Sequence, residues 1–234
     1  MADDDKNIIL PMDVIKYSYL DSVMDKMFGI STLSKSDDQK NLDVNLFNYL
    51  PTPYTYFEEL YNKYPFCESD YFVDIGCGKG RALVMALLYG CKHVCGIEIN
   101  EKTYLDLMKN FLILQKEELI KNADIELLNK SIADINIRDE WNKFFLFKPF
   151  NNNFFEEIMI KIYNSSQSKK DLYLFLYHPD IEVVNWIEKE KLFFLVEKDI
   201  QTIENQKGII KKKIRSAIYS NNENIERPKT IWRY

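Results

Sequence analysis

An α/β fold, doubly wound about a mainly parallel sheet, is what this sequence predicts, and three observations carry that reading. Five of the seven glycines lie between residues 76 and 96, three of them within Asp74-Ile75-Gly76-Cys77-Gly78-Lys79-Gly80-Arg81. An apolar run, Tyr71-Phe72-Val73, precedes this cluster, and Leu83, Ala86, Leu87 and Gly90 follow it at helical spacing. From residue 71 onward, short apolar runs alternate with helical stretches, and the last two runs are separated only by a polar turn. Strand, glycine turn and helix together bring backbone close to a ligand at a helix N-terminus.

The elements follow in order. Residues 13–27 read as a helix, with Val14, Tyr17, Leu20 and Met24 at intervals of three and four, and Phe28-Gly29 ends it. Residues 34–41 are polar and read as a surface loop. An aromatic belt runs from Phe47 to Phe72; within it Thr55-Tyr56-Phe57-Glu58 matches a capping box, opening a helix that runs to Tyr64 and is closed by Pro65. Strands are expected at 71–75, 93–99, 124–128, 143–148 and 171–177. Helices are expected at 79–90, 101–121, 153–163 and 181–189, the second carrying a stripe of Leu105, Met108 and Leu112. Residues 192–199 and 209–219 complete the sheet as a hairpin turning through Gly208, which gives seven strands with an antiparallel edge. Residues 1–70 are expected to form an N-terminal helical cap or lid, and 71–234 the ligand-binding domain. The aromatic belt has two readings, packing the N-terminal helix on the sheet or turning tyrosine faces toward a cationic ligand, and packing is the one expected; Ile231-Trp232-Arg233-Tyr234 is apolar enough to dock on the body.

Composition narrows the classes. At 234 residues, with 46% hydrophobic and 29% charged, the chain suits one globular domain. The apolar stretches at 82–89 and 192–196 fall short of the roughly 20 residues that span a bilayer. The start, Met1-Ala2-Asp3-Asp4-Asp5-Lys6, lacks a signal peptide's pattern, so a cytoplasmic protein with no membrane partner is expected. Cys91 and Cys95 have no second pair and no histidine at ligand spacing; they are read as buried thiols, and no metal is expected. A net charge of −5 advertises no broad nucleic-acid surface.

The glycine turn carries the chemistry. Dinucleotide enzymes space their glycines G-x-G-x-x-G around a pyrophosphate. Here the spacing is Gly76-x-Gly78-x-Gly80, with Asp74 two residues ahead. A carboxylate there repels a pyrophosphate and suits a ligand bearing an ammonium and a sulfonium. Glu98, eighteen residues past Gly80, falls at the tip of the second strand, where a carboxylate accepts both hydroxyls of a ribose.

On these residues the chain resembles the class I S-adenosylmethionine-dependent methyltransferases. Val73-Asp74-Ile75-Gly76-Cys77-Gly78-Lys79-Gly80-Arg81 is similar to their first motif, and Gly96-Ile97-Glu98 to the acid of their second strand. More narrowly, the chain is similar to a group of little-characterised bacterial methyltransferases. It shares with them Phe28-Gly29-Ile30-Ser31-Thr32, Tyr49-Leu50-Pro51-Thr52 and Lys148-Pro149-Phe150, so the resemblance spans residues 28–180.

That resemblance implies a Rossmann-like methyltransferase fold, S-adenosylmethionine as cofactor, S-adenosylhomocysteine as product, and an unidentified acceptor: a protein side chain, a tRNA base or a small molecule. Cofactor contacts are implied for Asp74, Gly76, Cys77, Gly78, Lys79, Gly80, Arg81, Glu98 and Ile99, with Tyr49 and Thr52 from the narrower group. After strand three the family carries a Gly-Asp pair beside the adenine. The corresponding stretch is Asn129-Lys130-Ser131-Ile132-Ala133-Asp134, which puts Ser131 and Ile132 there and departs from the pattern. After strand four, enzymes that methylate exocyclic amines carry an acceptor-bearing Asn, Asp or Ser. Lys148 stands at that position, and a protonated lysine accepts no hydrogen bond, which argues against DNA-amine methylation. Lys148, Pro149, Phe150 and Tyr177 are the acceptor-side candidates, and Lys148 and His178 the candidate proton-transfer groups. Two other readings stand beside the transferase: a cofactor-binding regulator or partner subunit without activity, and an NAD-type dehydrogenase.

Overall fold

The computed structural model describes residues 12–33, 50–147, 152–166, 171–204 and 210–225. Seven strands form one sheet: β1 (Tyr71–Ile75), β2 (His93–Ile97), β3 (Asp124–Leu128), β4 (Lys143–Phe147), β5 (Tyr173–Tyr177), β6 (Phe194–Glu204) and β7 (Ile210–Ser220). Their order is β3-β2-β1-β4-β5-β7-β6. The first five are parallel, and β7 runs antiparallel between β5 and β6. The helices are α1 (Met12–Phe28), α2 (Tyr54–Lys63), α3 (Arg81–Leu88), α4 (Glu101–Lys116), α5 (Asn152–Ser166) and α6 (Ile181–Glu190). The expected α/β architecture, with its antiparallel edge pair, is the one observed.

Alternate strand residues face two cores, as the pleat requires. Phe72, Val94, Phe145 and Phe175 meet α2, α3 and α4 on one face. Val73, Cys95, Phe144 and Leu174 meet α5 and α6 on the other. Chain order reverses between β1 and β4, because one wing of the sheet builds outward through β2 and β3 and the other through β5. Ligands bind such sheets at this switch point, outside the carboxyl ends of the strands.

The aromatic belt packs as expected. Phe57 lies 5.2 Å from Phe145, Tyr61 5.7 Å from Phe72, and Tyr56 4.2 Å from Tyr177, between ring centroids. One core therefore runs through α2 and the sheet.

Several local expectations are corrected. The α2 helix starts at Tyr54 behind Pro53 and has no capping box. Instead, the Tyr54 amide donates to Asp21 Oδ1 of α1 at 3.1 Å, so a tertiary contact replaces the local cap. The α3 helix begins only at Arg81, since Gly78 and Gly80 have φ of 56° and 90°, outside the right-handed helical region. In α4 the apolar stripe of Leu105, Met108 and Leu112 is not the core stripe: Leu105 and Leu112 are 51% and 60% exposed. The buried face is Leu107, Asn110, Phe111 and Leu114. That helix stops at Lys116, short of residue 121, ahead of Glu118 with φ 58°. The α1 helix turns Asp21 and Asp25 inward and Leu20 outward. No helix among the described residues is long and apolar enough to cross a membrane.

Candidate cofactor site

The chain leaves β1 at Ile75 and turns through Gly76, Cys77, Gly78, Lys79 and Gly80 into α3. The amides of Gly76 and Cys77 both donate to the Ile97 carbonyl at the end of β2, at 2.9 and 3.0 Å. Gly80 donates to the Cys77 carbonyl at 2.9 Å, which closes the turn. Two positions leave little room for a side chain. A Cβ on Gly80 would lie 2.4 Å from Leu107 Cδ1 and 2.7 Å from Phe111 Cε2, on a backbone with φ 90° that L residues rarely adopt. A Cβ on Gly96 in β2 would lie 2.5 Å from Leu83 Cδ1 and 3.0 Å from Cys77 Sγ, so its absence lets the turn and α3 close on the sheet. The scarce glycines thus meet geometric demands. Gly80 brings no side chain to cap α3, whose first amides receive none from it.

Glu98 follows β2 directly and folds back onto the turn. Its Oε2 accepts from the Gly78 amide at 3.0 Å, and its Oε1 accepts from the Asn100 amide at 2.8 Å. A carboxylate offers about four acceptor sites, so capacity remains for hydroxyl donors of a ligand. Asn100, and not Glu98, caps α4, accepting from the Thr103 amide at 2.9 Å. Burial raises the Glu98 pKa, against the opposing pull of its backbone donors. Asp74 is buried in the neighbouring strand. Its own desolvation, then the Glu98 charge, hold its carboxyl well above the usual range. The two acids make a dry corner beside the turn, where burial favours the protonated form of Asp74.

Apolar surface flanks this corner. Ile99, next to Glu98, is 46% exposed. Asn129, after β3, donates from Nδ2 to the carbonyls of Glu98 and Ile99, at 2.8 and 3.2 Å, and ties that loop to the tip of β2. Ser131 caps the short helical turn Ile132–Asp134, accepting from the Ala133 amide at 3.2 Å. Ile132 is buried in the core, while Asp134 is exposed.

The two cations of the motif point away from the acids. Lys79 is buried and pairs with Asp106 of α4 at 3.0 Å. Arg81 is buried beneath α1: its Nη1 donates to Asp21 Oδ2 at 2.7 Å and to the Thr52 carbonyl at 2.8 Å, and its Nε and Nη2 donate to Thr32 Oγ1 at 2.9 and 2.6 Å. Its guanidinium lies 4.4 Å from the centroid of the Tyr54 ring. What Lys79 and Arg81 offer a ligand is therefore main chain. Among the described residues, Thr52 meets the motif through this carbonyl contact. Asp21, Asp25, Asn110 and Asn129 were missed by sequence reasoning. A polar Asn110 within the buried spacing of Leu107, Phe111 and Leu114 was the available signal for one of them.

On the far side of the switch point, β5 ends in Tyr177 and His178. Two strand spacings, about 10 Å, separate them from β1. The Tyr177 ring is buried between Tyr56 and Phe147, at 4.2 and 4.9 Å. His178 is half-buried with φ 48°, and its amide donates to the Arg215 carbonyl at 2.8 Å. Tyr49, Lys148, Pro149 and Phe150 lie outside the described residues, as do the 34–41 loop, the Gly208 turn and the final residues. Cys77, Cys91 and Cys95 are buried free thiols.

An adenosine-bearing cofactor fits this set of groups. A glycine turn without side-chain bulk, a carboxylate with spare acceptor capacity, an exposed isoleucine beside it and a buried acid nearby stand at one strand edge. No protein-family model matches the chain, and no curated protein matches its sequence. Solved structures do match its fold. A candidate RNA methyltransferase of Pyrococcus horikoshii superposes over 90% of this chain and 98% of its own, with TM-score 0.55 and 18% identity. Precorrin-6y C5,15-methyltransferase of Geobacter metallireducens matches over 79% and 93%, with TM-score 0.51 and 14% identity. A candidate methylase of Haemophilus influenzae matches over 71% and 88%, with TM-score 0.50 and 20% identity. Strand order, switch point and these likenesses agree: the chain has the Rossmann-like fold of the class I methyltransferases.

Proposed function

We propose that this protein binds S-adenosylmethionine across Gly76–Gly80 and transfers its methyl group to an acceptor held beyond the ends of β4 and β5. The observation that carries this reading is the closure of Glu98 on Gly78 at 3.0 Å, at the switch point of the sheet. It sets a ribose-binding carboxylate against a turn with little room for side chains. Glu98 takes the ribose hydroxyls, and the exposed Ile99 gives the adenine apolar contact. Asp74 faces the cationic methionine end. Tyr177, His178 and Phe147 wall the acceptor side and exclude water.

S-adenosylmethionine supplies an already activated methyl group, so the protein mainly aligns donor and acceptor. His178, half-buried just after β5, is our candidate to take the acceptor's proton where one must leave. When Asp74 is ionised, its charge beside the turn favours a cationic ligand and disfavours a dinucleotide, whose pyrophosphate it would repel. Tritium-labelled S-adenosylmethionine, incubated with the full chain and with separated RNA, protein and small-molecule fractions of cells, tests the proposal. Label appearing in one fraction, and lost in Glu98→Ala, supports it and names the acceptor class. Tight binding of the label without transfer to any fraction favours the regulator reading instead.

A further inference from the structure

Residues 28–32 and 49–52, the two segments upstream of the sheet that resemble the narrower methyltransferase group, are brought together in their described parts at one point. That point is the outer side of the glycine turn. Thr32 of the first segment accepts from both Nε and Nη2 of Arg81, and Thr52 of the second accepts through its carbonyl from Nη1. The Thr32 hydroxyl in turn donates to Asp25 Oδ1 at 2.7 Å, and the Thr32 amide donates to Asp25 Oδ2 at 2.6 Å. Arg81 Nη1 completes the cluster on Asp21. All four side chains, Asp21, Asp25, Thr32 and Arg81, are buried.

A second fastening lies on α4. Asn110 Oδ1 accepts from the Ser31 amide at 3.0 Å, and its Nδ2 donates to the Ser31 carbonyl at 3.2 Å and to the Lys79 carbonyl at 3.0 Å. One buried amide therefore grips residue 31 and the turn at once. Arg81 is the first residue of α3, and Lys79 lies in the turn itself. These contacts hold the main chain of residues 79–81 from behind, where the ligand-facing side leaves Gly80 no side chain to hold.

We propose that Arg81 and Asn110 are positioning residues for the cofactor turn, through which the N-terminal segment around Ser31 and Thr32 sets the affinity for the nucleoside. The inference rests on the cofactor reading above. A guanidinium that makes four hydrogen bonds, to Asp21, Thr32 and Thr52, cannot shift without breaking several together, so it holds the turn in one arrangement. Packing alone would keep α1 on the body but would not fix the direction of the turn's amides.

The test uses the full chain with Thr32→Val, Thr32→Ser and Asn110→Leu. S-adenosylhomocysteine affinity is measured by calorimetry below the melting transition, and amide exchange is followed in the protein without ligand. Thr32→Val and Asn110→Leu should each weaken binding by about fivefold or more. Exchange at residues 78–81 should quicken by about tenfold while β4 and β5 keep their protection. Thr32→Ser, which retains the hydroxyl, should stay close to wild type in both readouts. A purely structural role would lower the melting temperature and leave both the affinity of the folded protein and the exchange at 78–81 unchanged; that result overturns the proposal. If the wild-type protein takes up no S-adenosylhomocysteine, the cofactor reading fails, and the exchange measurement alone decides whether the turn is held this way.

Discussion

Asp74 and Glu98 place two carboxylates in a dry corner where adjacent strands end, and no cation of the described residues offsets the burial of Asp74. A carboxyl whose folded pKa is raised above its unfolded value of about 4 contributes stability that is full below that value. The contribution is lost as pH rises through the raised folded pKa. Stability of the ligand-free protein should therefore fall as pH climbs from about 4 through that value. Asp74→Asn keeps the shape and removes the charge, so urea midpoints taken across a pH series should show a flatter profile and a more stable variant at the upper end. A cationic ligand prefers the ionised acid, so S-adenosylmethionine affinity in the wild type should rise with pH over the same range and should be weaker in Asp74→Asn. Equal affinity in the two proteins would remove Asp74 from the methionine end. The acid was legible because its distance from Gly76 is fixed by the turn. The diversion of the Arg81 and Lys79 side chains was not, since their partners Asp21 and Asp106 lie in helices that sequence spacing cannot orient.

The α4 helix shows why periodicity finds an element more easily than its inner face. Leu105, Met108 and Leu112 repeat at helical spacing, and so do Leu107, Phe111 and Leu114. Either stripe satisfies the pattern. Packing against Gly80 decides between them, because Leu107 and Phe111 reach into the space that a Cβ on that glycine would fill. Leu107→Ala should cost about 2–5 kcal/mol through lost burial and the cavity left behind. Leu112→Lys, on the solvent face, should stay within about 0.5 kcal/mol. Denaturant titrations of the two variants check this, and a reversed order would return the core to the other stripe. The α2 helix gives the same lesson from its start: a local capping box was legible, but Asp21 supplies the contact from α1. The central strand was easier to read, because Tyr71-Phe72-Val73 is buried on both faces and needs no choice of side.

Across the whole molecule, the alternation of strands and helices around the glycine turn made the α/β sheet legible. The same alternation, ending in a hairpin, anticipated the antiparallel pair at one edge. What the sequence left hidden is the joining of the N-terminal segments to the turn, since Asp21 and Arg81 lie sixty residues apart and meet only when α1 packs beside α3. The site is a product of that assembly: β1 brings Asp74, β2 brings Glu98, α4 holds Lys79 from outside, and the switch point sets them at one edge. The central claim is that this edge binds an S-adenosyl nucleoside through Glu98. Titration calorimetry with S-adenosylhomocysteine and with NAD, on wild type and Glu98→Ala, tests it most directly. The account predicts saturable binding of S-adenosylhomocysteine by the wild type and no heat with NAD. In Glu98→Ala the loss of up to two charge-assisted hydrogen bonds, about 1.5–3 kcal/mol each, should weaken binding by about tenfold or more. Absence of S-adenosylhomocysteine binding to the wild type, or equal affinity in Glu98→Ala, would contradict it.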